Sequence, residues 1–166
     1  TDAFGLQSQN RAKAAIENGH FDSQIIAIEA PEMDDDFERT DNMLSVTQDE
    51  VPRDTSLEAL AGLKSVARED GVHTAGTSSQ IADGAAAVLM MSATKAAELG
   101  LTPVAVIRAS ALVGCDPVMM LEGPIPATEK MLEQTGLNIA DIDVFEVNEA
   151  FASVVLAWAK AVGADM

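Results

Sequence analysis

The stretch IDVFEVNEAFASVVLAWAKAV, residues 142–162, decides the fold of this chain. It begins with Ile142–Val147, an apolar run of strand length, and it ends with Ala152–Val162, an apolar run of helix length. Between them lies the tetrad Asn148–Phe151, Asn-Glu-Ala-Phe. A buried strand that turns at once into a helix places the Asn148 amide at a sheet edge, where ligands commonly bind. The tetrad is therefore predicted to belong to a binding site.

The composition predicts a folded chain with one sizeable core. The chain has 166 residues, of which 48% are hydrophobic, and its mean hydropathy of +0.12 makes it too apolar to be disordered. Its longest run of membrane type, Ile81–Ala93, is too short to span a bilayer, and no signal-like leader opens the chain. A single cysteine excludes an internal disulfide framework and fits a reducing compartment. We therefore expect a soluble, cytoplasmic protein.

The negative charge is concentrated in one segment. The net charge is −17, and the segment Glu29–Glu50 holds nine acidic residues against Arg39 alone. Such a run is usually solvated, and we predict an acidic loop here. A chain without a basic stripe repels phosphate groups, which argues against nucleic acid and membranes as partners. The run Asp34–Glu38 lacks the regular oxygen spacing and the turn glycine of a calcium loop, so we predict no metal site.

Helices and strands are predicted to alternate along the chain. Apolar periodicity, with glycine and proline at the ends, predicts one helix at each of residues 2–18, 93–99, 126–136 and 150–162. The capping-box residues Thr55–Glu58 predict a further short helix, and Gln24–Glu29 is a predicted short strand. Unbroken apolar runs, which indicate strands covered on both faces, occupy Ala86–Met91, Val104–Val113 and Ile142–Val147. This alternation is typical of an α/β layered architecture.

Three sequence motifs occur together and in the same order as in the thiolases. They are the Gly/Ser-rich segment Thr74–Ala86, the Gly-Pro-Ile-Pro-Ala segment Gly123–Ala127, and the Asn-Glu-Ala-Phe-Ala segment Asn148–Ala152. Over its whole length the chain resembles the thiolases of the acetyl-CoA acetyltransferase and 3-ketoacyl-CoA thiolase type. Sterol-carrier-type thiolases usually have His-Asp in place of Asn148-Glu149, and ketoacyl synthases lack the tetrad, so these relatives fit less well. The resemblance implies a thiolase-like layered α/β fold, with mixed sheets between helices, seen in part.

The resemblance also implies a domain organisation and an activity. Residues 1–73 would be a loop-domain segment with the acidic loop, residues 74–100 the end of the N-terminal half, and residues 101–166 the start of the C-terminal half. Thiolases are acyltransferases of lipid metabolism that cleave 3-ketoacyl-CoA with CoA or condense two acyl-CoA molecules. Acyl-CoA and CoA would be the substrates, with no permanently bound cofactor. The apolar strands would pack against the rest of the chain or another subunit, within a homo-oligomer.

The catalytic set of a thiolase does not match this chain. A thiolase needs a nucleophilic cysteine, a histidine that activates it, and a second cysteine as acid and base. Cys115, His20 and His73 match none of the family's sequence contexts, and a lone cysteine near a strand end is more often a small buried hydrophobe. The chain therefore resembles the middle of a thiolase, and we expect it to be inactive alone. The alternative is a non-catalytic acyl-CoA-binding or assembly subunit whose partner supplies the catalytic set.

The tetrad supplies two candidate site residues. In the thiolases the Asn of this motif positions a water in an oxyanion hole together with a histidine, and the resemblance assigns this catalytic role to Asn148. Neutral, fixed donors of this kind stabilise a developing oxyanion. The alternative for Asn148 is a helix N-cap, since a predicted helix starts beside it. Phe151 resembles the aromatic residue that lines the acyl and pantetheine channel, and its alternative is an ordinary core aromatic.

Three further residues are candidates for CoA and acyl-chain binding. Ser79 lies where thiolases place a serine against the pantetheine amides, although a local turn hydroxyl is the alternative. Met120 corresponds to a methionine of the acyl pocket, although generic packing explains it equally well. Arg53 resembles the arginine near the nucleotide end of CoA, where a guanidinium can bind phosphate or stack on adenine, and a solvated surface arginine is the alternative. Ala67 stands where many thiolases have an aromatic residue, so we expect a stacking contact to be lost or to be supplied by another residue.

Overall fold

The computed structural model describes residues 1–166 and divides them into two compact units, Thr1–Gly76 and Thr77–Met166. The first unit contains helix α1 (Asp2–Glu17), strands β1 (Ile28–Met33) and β2 (Arg39–Val46), and helix α2 (Leu57–Ala61). The second contains helices α3 (Ala93–Glu98), α4 (Pro124–Thr135) and α5 (Ala152–Val162). Short 3-10 turns occur at Ala75–Thr77 and Ile139–Asp141. None of the helices combines the length and the apolar character that a membrane crossing requires.

The first unit is organised by the packing of α1 against α2. Ser56 caps α2 by accepting a hydrogen bond from the Ala59 N–H at 3.1 Å, one residue after the predicted capping position. Leu60, on the inner side of this short helix, is buried. Lys13 on α1 donates to Asp54 Oδ1 at 2.6 Å, and this hydrogen bond raises the pKa of the lysine. These contacts hold the segment that precedes α2 against α1.

The acidic segment forms an antiparallel hairpin, so the predicted loop is wrong. β1 pairs with β2 in a register that places Ile28 opposite Val46 and Ala30 opposite Leu44, which gives the hairpin one apolar face. Four of the nine acidic residues lie at the tip, where Asp34 Oδ1 accepts hydrogen bonds from the N–H groups of the second and fourth residues after it, at 3.0 and 2.9 Å. Aspartate favours turns for this reason. The acidic run Asp34–Glu38 therefore marks a turn between two strands. The predicted strand Gln24–Glu29 lies about four residues too early, since β1 spans Ile28–Met33.

The second unit is built around α5. Its buried residues Ala152, Val155 and Ala159 lie on one helical face, because they are spaced by three and four residues. Trp158 on the same side is buried, and its indole N–H donates to Thr128 Oγ1 on α4 at 2.9 Å. The Thr128 hydroxyl donates in turn to the Pro124 carbonyl at 2.8 Å. This hydrogen-bond chain ties the middle of α5 to the first turn of α4.

The three predicted apolar strands are not paired in this chain. The only sheet is the hairpin β1-β2, and the stretches Ala86–Met91, Val104–Val113 and Ile142–Val147 contain neither strand nor helix. A strand requires hydrogen bonds to a neighbour, and no other segment of this chain lies beside these stretches as a strand. Many of their side chains are consequently exposed, with Val104 fully exposed and Leu112 92% exposed, whereas Phe145 is half-buried against Trp158. Within these 166 residues, the prediction that the three stretches form paired, buried strands is therefore wrong.

We expect the isolated 166-residue chain to self-associate. Extended apolar stretches without a sheet partner expose both side chains and backbone polar groups, which favours pairing with other molecules. Light scattering should show particles larger than a monomer, and the amides of Ala86–Met91 should exchange rapidly with solvent in whatever monomer remains. A monodisperse monomer with strongly protected amides in that stretch would contradict this expectation.

Candidate functional site

Two of the sequence motifs meet through their backbones. Ser78 and Phe151 form an isolated antiparallel bridge, and the Ser79 N–H donates to the Ala150 carbonyl at 3.0 Å. Ser78 and Ser79 belong to the Gly/Ser-rich segment, whereas Ala150 and Phe151 belong to the tetrad. A bridge of this kind fixes the distance between two segments that are far apart in sequence. The candidate residue Ser79 therefore lies beside the tetrad that contains Asn148.

Asn148 is not the N-cap of α5. The capping residue is Phe151, which has an extended backbone and makes no side-chain cap hydrogen bond, and the helix begins at Ala152. Ala152 is also the first residue of the buried face of α5. Asn148 precedes the cap by three residues and its side chain is exposed. The N-cap alternative for this amide is thereby removed.

The side chains beside Asn148 have different surroundings. Phe151 is half-buried, which distinguishes it from a residue of the closed core. Ser79 is exposed, and its hydroxyl donates to the Gln80 carbonyl at 3.3 Å, a long local hydrogen bond. This hydrogen bond supports the alternative that Ser79 is a local turn hydroxyl. A hydrogen bond of this length is weak, so the hydroxyl can donate to a ligand oxygen instead.

Met120 is carried by the loop Cys115–Gly123, which we name the 115–123 loop. The ends of this loop lie close together, because a Cβ atom built on Gly123 would be 3.9 Å from the Cys115 sulfur. Asp116 Oδ1 accepts hydrogen bonds from the N–H groups of Val118 and Met119, both at 2.8 Å. The hydrogen bond from the Met119 N–H lowers the pKa of the Asp116 carboxyl most, and the one from the Val118 N–H lowers it further. Closely approaching ends and internal hydrogen bonds are typical of a compact surface loop.

Arg53 lies in the first unit, on the segment between β2 and α2. Its backbone N–H donates to Gln9 Oε1 on α1 at 2.8 Å, so the position of its main chain is fixed by α1. Ser79, Met120, Asn148 and Phe151 all belong to the second unit. No group of three or more His, Cys, Asp or Glu side chains is placed to hold a metal ion.

The residues around the tetrad offer neutral polar groups and apolar surface. Asn148 supplies amide N–H donors, and Ser79 supplies a hydroxyl that can donate or accept. Half-buried Phe151 supplies apolar contact area. Neutral donors next to apolar surface suit a ligand with carbonyl or amide groups on an aliphatic chain.

Sequence reasoning missed two residues that shape these segments. Ser78 pairs with Phe151, and nothing in the Gly/Ser-rich segment distinguishes it from its neighbours before the partner is known. Asp116 organises the 115–123 loop, and its signal was the Asp-Pro pair at residues 116–117, which is typical of a turn in which the Asp side chain binds the following backbone.

Family models cover nearly all of the chain. Residues 1–94 match the thiolase N-terminal domain, and residues 101–166 match the thiolase C-terminal domain. The chain belongs to the thiolase family. Its similarity to the 3-ketoacyl-CoA thiolase of Marinomonas sp. (strain MWYL1) is 48% identity over 164 residues, which cover 98% of this chain and 40% of that thiolase. An acetyl-CoA acetyltransferase of Chromobacterium violaceum is 45% identical over 163 residues, with 98% and 40% covered.

Solved thiolase structures share the fold. The Bacillus anthracis acetyl-CoA acetyltransferase superposes with a TM-score of 0.92 at 41% identity, covering 99% of this chain and 40% of that structure. The human mitochondrial 3-ketoacyl-CoA thiolase gives a TM-score of 0.88 at 38% identity, with 99% and 40% covered. The predicted thiolase-like fold, seen in part, is confirmed. The chain spans about two fifths of the length of these thiolases.

Proposed function

We propose that the intact protein containing these residues is a thiolase-type acyltransferase that exchanges acyl groups with CoA. It would cleave a 3-ketoacyl-CoA with CoA or condense two acyl-CoA molecules. The observation that supports this most directly is the backbone pairing of Ser78 and Ser79 with Phe151 and Ala150. That pairing brings a hydroxyl-bearing loop beside the tetrad, in which Asn148 is exposed, within a chain of the thiolase family.

Asn148 is the residue to which we assign a catalytic role. When a nucleophile adds to a thioester carbonyl, negative charge develops on the carbonyl oxygen, and a fixed neutral donor stabilises that charge. The Asn148 side chain can donate to the oxygen or to a water molecule that contacts it. Its exposure and its place outside the α5 cap support this assignment, because the amide is not used to hold the helix.

The other candidates bind and orient the substrate in this proposal. Ser79 would contact the pantetheine amides, Phe151 and Met120 would line the acyl channel, and Arg53 would contact the nucleotide end of CoA. CoA is a substrate here, and the chemistry requires no permanently bound cofactor. The exposed apolar stretches support the further proposal that these residues pack against the rest of a longer chain, within a homo-oligomer.

The test compares the 166-residue chain with the full-length protein. With acetoacetyl-CoA and CoA, we expect the full-length protein to release acetyl-CoA and the isolated chain to release none, because a binding surface without a nucleophile leaves the covalent step undone. An intact mass of the purified native protein establishes which form is present. A full-length protein that binds acyl-CoA without turning it over would favour the non-catalytic subunit. Thiolysis by the verified isolated chain would refute the expectation that these 166 residues lack the nucleophile.

A further inference from the structure

We propose that Phe145 is a positioning residue for the Asn148 amide, and that its contact with Trp158 holds the tetrad in place for catalysis. This inference rests on the function proposed above, and it gives a role to a residue outside all three sequence motifs. The centroid of the Phe145 ring lies 5.1 Å from that of the Trp158 ring, with an angle of 62° between the ring planes. Edge contacts between aromatic rings are directional, so this contact fixes orientation as well as distance.

Trp158 is a rigid support for this contact. It is only 4% exposed, and its indole N–H donates to Thr128 Oγ1 at 2.9 Å. The Thr128 hydroxyl donates in turn to the Pro124 carbonyl at 2.8 Å, which fixes the direction from which its oxygen accepts. A closely packed and hydrogen-bonded side chain has few alternative rotamers. The indole is therefore a fixed point on α5, against which the Phe145 ring is held.

Asn148 lies between two fixed points of the chain. On one side is Phe145, three residues earlier, so the Cα atoms of the two residues are at most about 11 Å apart. On the other side, two residues after Asn148, the Ala150 carbonyl accepts from the Ser79 N–H at 3.0 Å. Asn148 itself is exposed, so the direction in which its amide points depends on these two anchors.

Loss of the Phe145 ring frees one end of this span. The Ala150 end stays held, so residues 146–149 can rotate about a single anchor, and the Asn148 amide moves away from the oxygen that it stabilises. Donors of this kind act because their geometry is fixed before the reaction. A displacement of about 1 Å can lower a rate by about 100-fold. The loss therefore falls on the transition state and on kcat, while the other residues still bind the substrate.

The experiment is a double-mutant cycle in the full-length enzyme. Steady-state thiolysis of acetoacetyl-CoA is measured for the wild type, Phe145→Ala, Asn148→Ala and the double variant. We expect Phe145→Ala to lower kcat by about tenfold and to change KM by less than about threefold. In the Asn148→Ala background the same substitution should change kcat by less than about twofold, because a residue that acts through the amide has no effect once the amide is absent.

Two further variants separate positioning from a general loss of stability. Phe145→Leu keeps much of the apolar volume but loses the ring edge, so it should lower kcat by about three- to fivefold with the same dependence on Asn148. It closes the cycle where Phe145→Ala is too unstable to assay. Ile16→Ala truncates another half-buried side chain, on α1 in the other unit, and its kcat should stay within about twofold of wild type.

Each alternative result has a distinct meaning. An active wild type whose kcat is unchanged in the Phe145 variants overturns this inference alone. So does an equal loss of kcat in the wild-type and Asn148→Ala backgrounds, or an equal loss in Ile16→Ala, since either pattern reflects general destabilisation. An unchanged kcat in Asn148→Ala overturns the catalytic role of the amide, and with it the role of Phe145. A wild type that does not turn over acetoacetyl-CoA overturns the proposed function.

Discussion

Replacing Asn148 with alanine in the full-length enzyme is expected to lower kcat by about 10²- to 10³-fold and to change KM by less than about threefold. In the proposed role the Asn148 amide acts on charge that develops on the thioester oxygen. Such an interaction is stronger in the transition state than with bound substrate, so its loss falls on kcat. Steady-state thiolysis of acetoacetyl-CoA at varied substrate concentration measures both constants.

Two matched variants separate this role from a general loss of structure. Asn148→Asp keeps the size of the side chain but loses the NH2 donor and adds negative charge near a developing anion, so it should be at least as impaired as Asn148→Ala. Asn138→Ala removes an exposed amide that donates to Asp141 at 3.2 Å, and its kcat should stay within about twofold of wild type. A kcat of Asn148→Ala within about fivefold of wild type would exclude the oxyanion role.

Replacing Trp158 with alanine is expected to lower the free energy of unfolding by about 3–5 kcal/mol. Trp158 is 4% exposed, so the change leaves a cavity between α4 and α5. It also removes the edge contact with Phe145, whose ring centroid lies 5.1 Å away, and the indole N–H that donates to Thr128. Urea unfolding of the full-length enzyme should be followed by circular dichroism, because Trp158 is the only tryptophan of these residues.

A conservative variant resolves this loss into packing and hydrogen bonding. Trp158→Phe keeps an aromatic ring in the site but loses the donor to Thr128, and we expect it to cost about 1–2 kcal/mol. The contact lies close in sequence to two of the motifs. Thr128 comes directly after Gly123–Ala127, and Trp158 comes two turns of α5 after the tetrad. A loss below about 1 kcal/mol for Trp158→Ala would show that this contact does not hold the two helices together.

The helices were predictable because their ends are encoded locally. Gly136 ends α4 in a left-handed conformation with a φ of 69°, and Pro124 occupies its first turn. Ser92 likewise caps α3 by accepting from the Lys95 N–H at 3.1 Å. Such signals involve residues within one turn of each other, so a single sequence contains all of the required information. The predicted helix ends accordingly lie within about two residues of the observed ones.

The sheet and the site depended on partners that local patterns do not identify. The acidic composition of Glu29–Glu50 concealed a hairpin, because the charges at its tip resemble those of a solvated loop. The stretch Val104–Val113 has the composition of a strand, but pairing also needs a neighbour. For Asn148 the pattern left cap and catalytic role open, and only the observed start of α5 at Ala152 removed the cap. The roles of Ser79, Met120, Phe151 and Arg53 stay predictions.

The bridge between Ser78 and Phe151 determines when the site arises during protein synthesis. A ribosome adds about 5–20 residues per second, so several seconds separate the emergence of the two partners. During that interval the apolar stretch Ala86–Met91 has already left the exit tunnel while the second half of the bridge is still being translated. Nascent chains in this state are suitable clients for chaperones that shield apolar segments. In the proposed function, acyl-CoA therefore binds at the tetrad only after both segments have emerged, and it cannot act as an early folding template for this region.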